Sequence, residues 1–391
     1  MNNFHIIAKP EMIFGSNTSL SAGKRLKKIG CKKVICVYDK GVKDAGLTDK
    51  IIQAIESEGI EVVHYDGVLP DPPDTVVNEA GELGRKENVD GIVAIGGGSS
   101  MDTAKGVNIL LSNPGSITQY GIGTIYNKSR TPMFMIPTTA GTGSEMTNMG
   151  VITSSTENRK MIILGEGCTA NVAILDPNLT IALPAYPTAT TGMDVLAHAS
   201  EALTIKRNWN EYSAMFAVKA IELVFKYLPI AVAEGTNMEA RENMMLAATY
   251  AGIAFTDATV HMAHGIGHAL GAKFHVPHGA ACAIALPSVM KYVSKTDPIN
   301  VKRVGKAMGL DFKDDAGSEE IGQAVADTIS ALNTKIGIPT LQNLNIGRDS
   351  FPYIVDLVVM DTTYFSYPIK TDKPSILAML EEAYLRGEKR D

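Results

Sequence analysis

Histidines crowd into one stretch of this 391-residue chain, "HMAHGIGHALGAKFHVPHG" at 261–279. The stretch holds five of the eight histidines in the sequence. Imidazole loses its proton near neutral pH and is the commonest metal ligand in proteins. The clustering therefore indicates a metal site or a site of proton transfer.

A second segment, "ATTGMDVLAHASEAL" at 189–203, supplies a carboxylate and another imidazole. Asp194 and His198 are four residues apart, so on a helix both side chains project from one face. Such a pair is more often a surface or core pair than a ligand set. The cluster of histidines at 261–279 favours the interpretation of this pair as metal ligands.

His264 and His268 have the same spacing, and His278 follows after a loop. An aspartate and neutral imidazoles from two segments form a nitrogen and oxygen site suited to Fe(II) or Zn(II). Five histidines do not bind one ion. His261, three residues before His264, is predicted on the helix surface, and His275 is predicted to support the metal ligands or to face a cofactor.

A glycine-rich loop follows a predicted strand in "GIVAIGGGSSMDTAKG" at 91–106. Gly96, Gly97 and Gly98 let the backbone approach a phosphate, and the amides of a helix beginning around Met101 face the anion. The motif is not G-x-G-x-x-G, and a tight turn without a ligand is the alternative.

A second loop, "PTTAGTGSEMT" at 137–147, also follows a strand. Two loops after parallel strands lie at the same edge of a sheet, where open α/β sheets bind ligands, so together they favour a nucleotide. Asp39 ends an earlier strand, where a carboxylate accepts from ribose hydroxyls and repels a 2′-phosphate; an ordinary turn aspartate is the alternative. The loop supplies five hydroxyl donors: Thr138, Thr139, Thr142, Ser144 and Thr147.

The elements that position these residues change in character near residue 185. Before it, short β-rich segments alternate with amphipathic ones, which indicates crossover units and a mostly parallel sheet. After it, Ala, Met, Leu and Glu at helical spacing dominate, as in 212–235 and 238–255. We therefore expect an α/β nucleotide-binding domain at 1–184 and a helical metal-binding and substrate domain at 185–391. Predicted strands cover 32–39 and 61–67 and part of 90–100 and 131–144, and a predicted helix covers 49–60.

Composition excludes several classes of protein. The apolar fraction of 45% and the charged fraction of 20% are those of a folded globular chain. The net charge of −6 is spread along the sequence, so we expect no nucleic-acid partner. Without a long apolar run or a signal peptide, we expect a cytoplasmic protein that does not bind membranes. The four cysteines lack C-x-x-C spacing and are interpreted as small buried hydrophobes.

Together these motifs resemble the iron-dependent (group III) alcohol dehydrogenases, a family that includes lactaldehyde reductases and propanediol dehydrogenases. The resemblance covers nearly the whole chain, from "MIFG" at 12–15 to the histidine stretch. It implies that the metal ligands are Asp194, His198, His264 and His278, and that His268 lies close to the substrate and the nicotinamide.

The resemblance also implies a set of cofactor contacts. Asp39 matches the acidic residue linked to a preference for NAD over NADP, and Lys160 matches a lysine near the nucleotide. The predicted cofactor-binding residues are Asp39, Gly97, Gly98, Ser99, Asp102, Thr138, Thr139, Thr142, Ser144, Thr147 and Lys160.

The implied architecture is that of dehydroquinate synthase, a Rossmann-like α/β N-terminal domain followed by an all-α C-terminal domain, with the active site in the cleft between them. The implied cofactors are NAD and Fe(II), with Zn(II) as the alternative metal, and the implied assembly is a homodimer or larger. The sequence departs from many relatives at "DTTYFSYPIK" (361–370), where they carry a cysteine and Asn-Pro-Arg near the substrate pocket.

The activity that follows is oxidation of a small primary alcohol or diol, or reduction of the aldehyde. The metal acts as a Lewis acid on the alcohol oxygen, hydride passes to nicotinamide C4, and His268 or a chain of waters carries the proton away.

One alternative is an NAD-using lyase or cyclase of the dehydroquinate-synthase type. Its acidic substrate needs a dense Lys/Arg pocket, whereas the two metal-site segments contain only Lys273 as a basic residue. Another alternative is a nucleotide-binding regulator without catalysis.

Overall fold

Strands and helices alternate along the first half of the chain, and helices alone fill most of the second. The computed structural model describes residues 4–6, 9–127, 131–156, 159–367 and 371–388. The chain divides into two units, one spanning Ala8–Ala182 and the other spanning Leu183–Asp391 with Met1–Ile7.

The first unit is built on a parallel sheet with strand order β1-β8-β5-β4-β2-β3. Its strands are β1 (Glu11–Phe14), β2 (Lys33–Asp39), β3 (Glu61–Val68), β4 (Gly91–Gly96), β5 (Met133–Pro137) and β8 (Val172–Leu175). Its helices are α1 (Ala22–Lys28), α2 (Lys40–Asp44), α3 (Asp49–Glu56), α4 (Asp74–Lys86) and α5 (Gly98–Ser112). The alternating order of strands and helices confirms the predicted α/β class.

Both faces of this sheet are buried. Along β2, Val34 and Cys36 belong to one apolar cluster, while Ile35 and Val37 belong to the other. Successive side chains of a strand point to opposite faces, so a continuous apolar sequence such as that of β2 is typical of a strand covered on both sides.

Two features of this unit differ from the expectation. An antiparallel pair, β6 (Met149–Ser154) and β7 (Arg159–Leu164), was not predicted. Helix α5 begins at Gly98 rather than around Met101, two residues after the strand ends at Gly96. Gly97 is the N-cap of the helix, and of the three glycines only Gly98 lies in its first turn.

The second unit consists mainly of helices, as predicted. Its first long helix, α6, has almost all of its side chains buried from Thr188 to Thr204. The helices are α6 (Ala185–Thr204), α7 (Glu211–Ala233), α8 (Met238–Ala258), α9 (Met262–Phe274), α10 (His278–Val293), α11 (Pro298–Ala307), α12 (Ser318–Lys335), α13 (Phe351–Met360) and α14 (Lys373–Glu388). None of the helices in the described ranges has the length and apolarity needed to cross a membrane.

Candidate metal centre and nucleotide loops

Three helices supply the predicted metal ligands. Asp194 and His198 lie on α6, one turn apart; His264 lies in the first turn of α9; and His278 is the first residue of α10. Gly279 permits the approach of α10 to α6, because a Cβ there would lie 2.0 Å from the Thr190 carbonyl oxygen. The sequence brings these side chains together through helix packing rather than through one local motif.

The distances between the candidate ligand atoms suit a single ion. Asp194 Oδ1 lies 3.7 Å from His264 Nε2 and 3.5 Å from His278 Nε2, and Asp194 Oδ2 lies 3.7 Å from His198 Nδ1. Two nitrogen or oxygen ligands at about 2.1 Å from a tetrahedral ion are separated by roughly 3.4 Å. The observed separations are close to that value and too long for direct hydrogen bonds.

Buried ring nitrogens provide an independent test of whether a cation fits. Across the described ranges, no hydrogen-bond partner is found for His198 Nδ1 or His264 Nε2, both of which are buried. Leaving such a group unsatisfied costs about 1–3 kcal/mol. A divalent ion beside the Asp194 carboxylate would satisfy both nitrogens, so the residues present fit the metal that the sequence predicts.

The structure adds a sulfur atom to this cluster. Ligand atoms of Asp194, His264, His278 and Cys282 all lie within 4.8 Å of one another, and Cys282 Sγ is 3.8 Å from His278 Nε2. The sequence predicts Cys282 only as a small buried hydrophobe. His198 lies outside this group of four, and its ring stacks on Phe255 with centroids 4.2 Å apart.

A fully buried carboxylate, Glu201, lies one helical turn beyond His198. Its Oε2 accepts a hydrogen bond from His264 Nδ1 at 2.6 Å. The prediction that His261 lies on the helix surface is wrong: its side chain is fully buried, with Nδ1 3.0 Å from Glu201 Oε1 and Nε2 2.9 Å from Thr204 Oγ1. The reason is that α9 begins only at Met262, so the spacing from His261 to His264 is not helical.

The other two predicted histidines differ in their surroundings. His268 stacks on His278 with ring centroids 5.4 Å apart, and its Nδ1 lies 2.9 Å from Asp361 Oδ2. His275 is exposed and ends α9 in the left-handed conformation, with a φ of 54°. Thus His268 is in contact with the candidate ligands, whereas His275 forms the C-cap of the helix.

Burial and pairing shift the pKa values of these groups in different directions. Burial and the neighbouring His264 hold the pKa of His198 well below its ordinary value, which keeps the ring neutral. Burial also lowers the pKa of His264, but the Glu201 and Asp194 carboxylates outweigh it and raise the pKa. For Glu201, burial alone would raise the pKa, but His261 and His264 hold it well below the ordinary value. Burial alone would also raise the pKa of Asp361, but hydrogen bonds from His268 and Thr363 outweigh it and lower the pKa.

In the first unit, the predicted cofactor loops lie at the carboxyl ends of adjacent strands. Gly96 pairs with Pro137 in the parallel register of β4 and β5, so the glycine loop and the threonine loop leave the sheet side by side. A Cβ on Gly98 would lie 2.8 Å from Thr142 Cγ2, and one on Gly97 would lie 3.4 Å from Thr139 Oγ1. The second loop thus packs against the helix start that would face a phosphate.

Asp39 lies beside this turn because β2 and β4 are neighbours. Its Oδ2 would lie 3.7 Å from a Cβ placed on Gly96, and its Oδ1 accepts from the Val42 amide as the N-cap of α2. The structure therefore brings Asp39, the glycine loop and Thr138 to one edge of the sheet. Ser99 is in the first turn of α5, and its carbonyl oxygen accepts from the Thr103 hydroxyl.

Three of the predicted cofactor residues take part in a buried network around Lys105. The fully buried Lys105 ammonium donates to Ser144 Oγ at 2.6 Å and to Thr147 Oγ1 at 2.8 Å, besides two carbonyl oxygens. Asp102 accepts from Ser144 Oγ at 2.8 Å and from the Val151 amide at 3.0 Å. These polar groups hold the threonine loop against α5, a role that their sequence motifs do not predict.

Lys160, on β7, forms an ion pair with Asp71 at 2.8 Å. Its predicted place near the nucleotide stays a prediction. Residues 368–370 of the segment that departs from the relatives lie outside the described residues.

Both halves of the chain match sequence models of one family. A sequence model described as iron-containing alcohol dehydrogenase matches residues 9–177, and one described as Fe-containing alcohol dehydrogenase family, C-terminal, matches residues 188–384. The 1,3-propanediol dehydrogenase of Citrobacter freundii is 37% identical over 95% of this chain and 96% of its own length.

Two further relatives are similar over most of their length. The NAD-dependent methanol dehydrogenase of Bacillus methanolicus is 36% identical over 87% of this chain and 88% of its own. A crystal structure of a 1,3-propanediol oxidoreductase superimposes with a TM-score of 0.93 at 35% identity, covering 98% of this chain and all of that one.

Proposed function

The chain belongs to the iron-containing alcohol dehydrogenase family, and on this premise we propose that it is an NAD(H)- and divalent-metal-dependent alcohol dehydrogenase. The proposed substrate is a small primary alcohol or a diol, with the matching aldehyde in the reverse direction. The family match favours this activity over the lyase and the regulator that the sequence left open.

The observation that carries the proposal is the convergence of Asp194, His264 and His278 from three helices. Asp194 Oδ1 lies 3.7 Å from His264 Nε2 and 3.5 Å from His278 Nε2. We propose that these three residues and His198 hold Fe(II), with Zn(II) as the alternative, since a nitrogen and oxygen donor set accepts either ion.

We propose NAD as the hydride carrier, held by the glycine loop, the threonine loop and Asp39. Amides at the start of α5 offer a site for the pyrophosphate, and the Asp39 carboxylate disfavours the 2′-phosphate of NADP. When bound, the metal ion supplies Lewis acidity toward an alcohol oxygen, and NAD supplies the hydride acceptor.

Proton movement is proposed for His268. Its Nδ1 is held by Asp361, so Nε2 is the nitrogen left to exchange a proton with the substrate hydroxyl or with water. The ring stacks on His278, which places this nitrogen beside the candidate ligand set.

The test is NADH absorbance with metal-stripped protein reloaded with Fe(II) or Zn(II), on a panel of primary alcohols, diols and aldehydes. We expect metal-dependent turnover that His264→Ala abolishes and that the control His5→Ala, at an exposed position near the N-terminus, retains. Turnover that survives complete metal removal would contradict the proposal. So would NAD binding without turnover for any metal.

A cytoplasmic location and a homodimeric or larger assembly stay predictions from the sequence and the family resemblance. Light scattering of the purified chain tests the assembly. A monomer would contradict it.

A further inference from the structure

We propose that Glu201 is a positioning residue of the metal site, which orients His264 and fixes the tautomer in which His264 Nε2 is free to bind the ion. This inference rests on the proposed function, because it concerns the same ion. Glu201 is a residue that neither the spacing of the ligands nor the resemblance assigned.

The contacts of Glu201 come from one short stretch of chain, at the start of α9. Its Oε2 accepts from His264 Nδ1 at 2.6 Å and from the His261 amide at 3.0 Å. Its Oε1 accepts from the Ala263 amide at 2.5 Å and lies 3.0 Å from His261 Nδ1. Each oxygen of this fully buried carboxylate therefore faces two nitrogens.

A carboxylate at this place is stabilised as a charge. A buried carboxylate costs desolvation free energy unless hydrogen bonds satisfy its oxygens, and here both oxygens accept from N–H groups. The amides of His261 and Ala263 belong to the N-terminus of α9, where the partial positive charge of the helix favours an anion. His261 itself offers no side-chain cap to α9, and Glu201, from another helix, fills that role.

The consequence for His264 follows from donor and acceptor chemistry. A carboxylate only accepts hydrogen bonds, so the proton between Glu201 and His264 belongs to Nδ1. In the neutral ring the lone pair is then on Nε2, the nitrogen that lies 3.7 Å from Asp194 Oδ1. Among the residues that the structure describes, Nε2 has no hydrogen-bond partner that would compete with an ion.

A second histidine of α9 also has its Nδ1 beside a carboxylate, but this histidine is not a predicted metal ligand. Asp361 holds Nδ1 of His268 as Glu201 holds Nδ1 of His264. The two rings lie 6.2 Å apart and are nearly perpendicular, at 76°. Glu201 thus contacts a predicted ligand, whereas Asp361 contacts a histidine that the resemblance places outside the ligand set. Asp361 therefore provides a matched control for Glu201.

The experiment compares Glu201→Gln with Asp361→Asn in purified protein. Glutamine has nearly the shape of glutamate, but one of its two terminal groups donates instead of accepting. Where that NH2 group faces Nδ1, His264 carries its proton on Nε2 and faces the ion with it. We expect the affinity for Zn(II), measured by competition with a chelator, to fall by about 10–100-fold in Glu201→Gln. We expect Asp361→Asn to bind Zn(II) as the parent does.

Two further readouts separate positioning from packing. Nitrogen-15 spectra of histidine-labelled, metal-free protein report the tautomer directly, and we expect the Nδ1–H signature of His264 to be lost in Glu201→Gln. Glu201→Asp keeps an acceptor-only carboxylate but shortens the side chain, so it should bind Zn(II) more tightly than Glu201→Gln. A merely structural role predicts the reverse order, because Asp leaves the larger gap.

The inference is overturned if Glu201→Gln keeps the parent affinity and tautomer, if Asp361→Asn loses as much affinity, or if Asp binds more weakly than Gln. None of these measurements uses turnover. A protein that binds Zn(II) and shows the expected tautomers but never reduces NAD would refute the proposed function and leave this inference intact.

Discussion

Asp361 Oδ2 lies 2.9 Å from Nδ1 of His268, and this pair joins the turn after α13 to the histidine helix α9. The other oxygen of Asp361 accepts from the amide and the hydroxyl of Thr363, at 2.8 and 2.6 Å. The carboxylate is therefore held in place by its own turn before it contacts the histidine. A carboxylate fixed in this way orients an imidazole for proton transfer.

We predict that Asp361→Asn lowers kcat by about 10²-fold, near the lower end of what a positioned proton-transfer group contributes. KM for the alcohol should change little, because Asp361 contacts His268 rather than the predicted ligands. Steady-state kinetics across a range of alcohol concentrations measure both. Asp356→Asn, an exposed carboxylate of α13 paired with Lys373, is the control. If His268→Ala is slow and Asp361→Asn is as fast as the parent, the contact of Asp361 with His268 has no role in catalysis.

Asp39 provides a test of cofactor preference. Because Asp39 also caps α2 through the Val42 amide, the informative change is Asp39→Asn, which keeps a good N-cap and removes the charge. We expect the ratio of kcat/KM for NADP to that for NAD to rise by about 10-fold, which corresponds to about 1.4 kcal/mol. Asp44→Asn, at an exposed position of the same helix, should leave the ratio unchanged. An unchanged ratio in Asp39→Asn would mean that this carboxylate does not face the 2′ position.

The sequence predicted much of the fold, since its signals are local. The apolar segment of β2 and the helical spacing of α7 and α8 determine their elements, and the observed bounds fall within a few residues of those predicted. The pair β6 and β7 was missed, because its partly exposed strands lack the apolar segments that marked the parallel ones. The start of α5 was predicted three residues late, since glycines were interpreted as loop rather than as helical first turn.

The candidate site was harder to predict, because its supporting groups are distant in sequence. Spacing indicated Asp194 and His264, yet nothing local links Glu201 to a histidine 63 residues later. A glutamate within the mostly apolar segment "VLAHASEAL" was the available signal, as was Lys105 within "TAKGVNILL". A charged residue on a helix face that is otherwise apolar becomes buried when the helix packs. Such a residue is almost never fully buried without a partner.

Lys105 holds the threonine loop, and removing its charge tests that role. Burial lowers the pKa of this lysine, while Asp102, 3.6 Å away, acts in the opposite direction. Lys105→Met leaves Asp102 without its cation and Ser144 without a donor. We expect the free energy of unfolding in urea to fall by about 3–5 kcal/mol, and NAD affinity to fall with it, because the loop loses its anchor.

A double variant separates the charge pair from general packing. Asp102→Asn combined with Lys105→Met should lose less stability than the sum of the two single changes, because no buried charge is left uncompensated. The surface change Lys86→Met should remain within about 0.5 kcal/mol of the parent. Additive losses would show that Asp102 and Lys105 do not act as a pair.

The packing of α10 against α6 sets the position of His278, and Gly279 is the residue that permits it. A methyl group there would meet the Thr190 carbonyl oxygen at 2.0 Å and Asp194 Cβ at 3.2 Å, and the first of these is backbone that cannot rotate away. Gly279→Ala should therefore push the two helices apart and cost about 1–3 kcal/mol of stability. Because His278 and Asp194 lie on opposite sides of this contact, Zn(II) affinity should fall as well.

Gly271→Ala in α9 is the matched control, since its new methyl would lie 3.6 Å from its nearest neighbour, the Val276 carbonyl oxygen. That change should leave metal affinity unchanged and stability equal or slightly higher, because alanine is the better helix former. If Gly279→Ala binds Zn(II) as tightly as Gly271→Ala, close helix packing is not what brings His278 to Asp194.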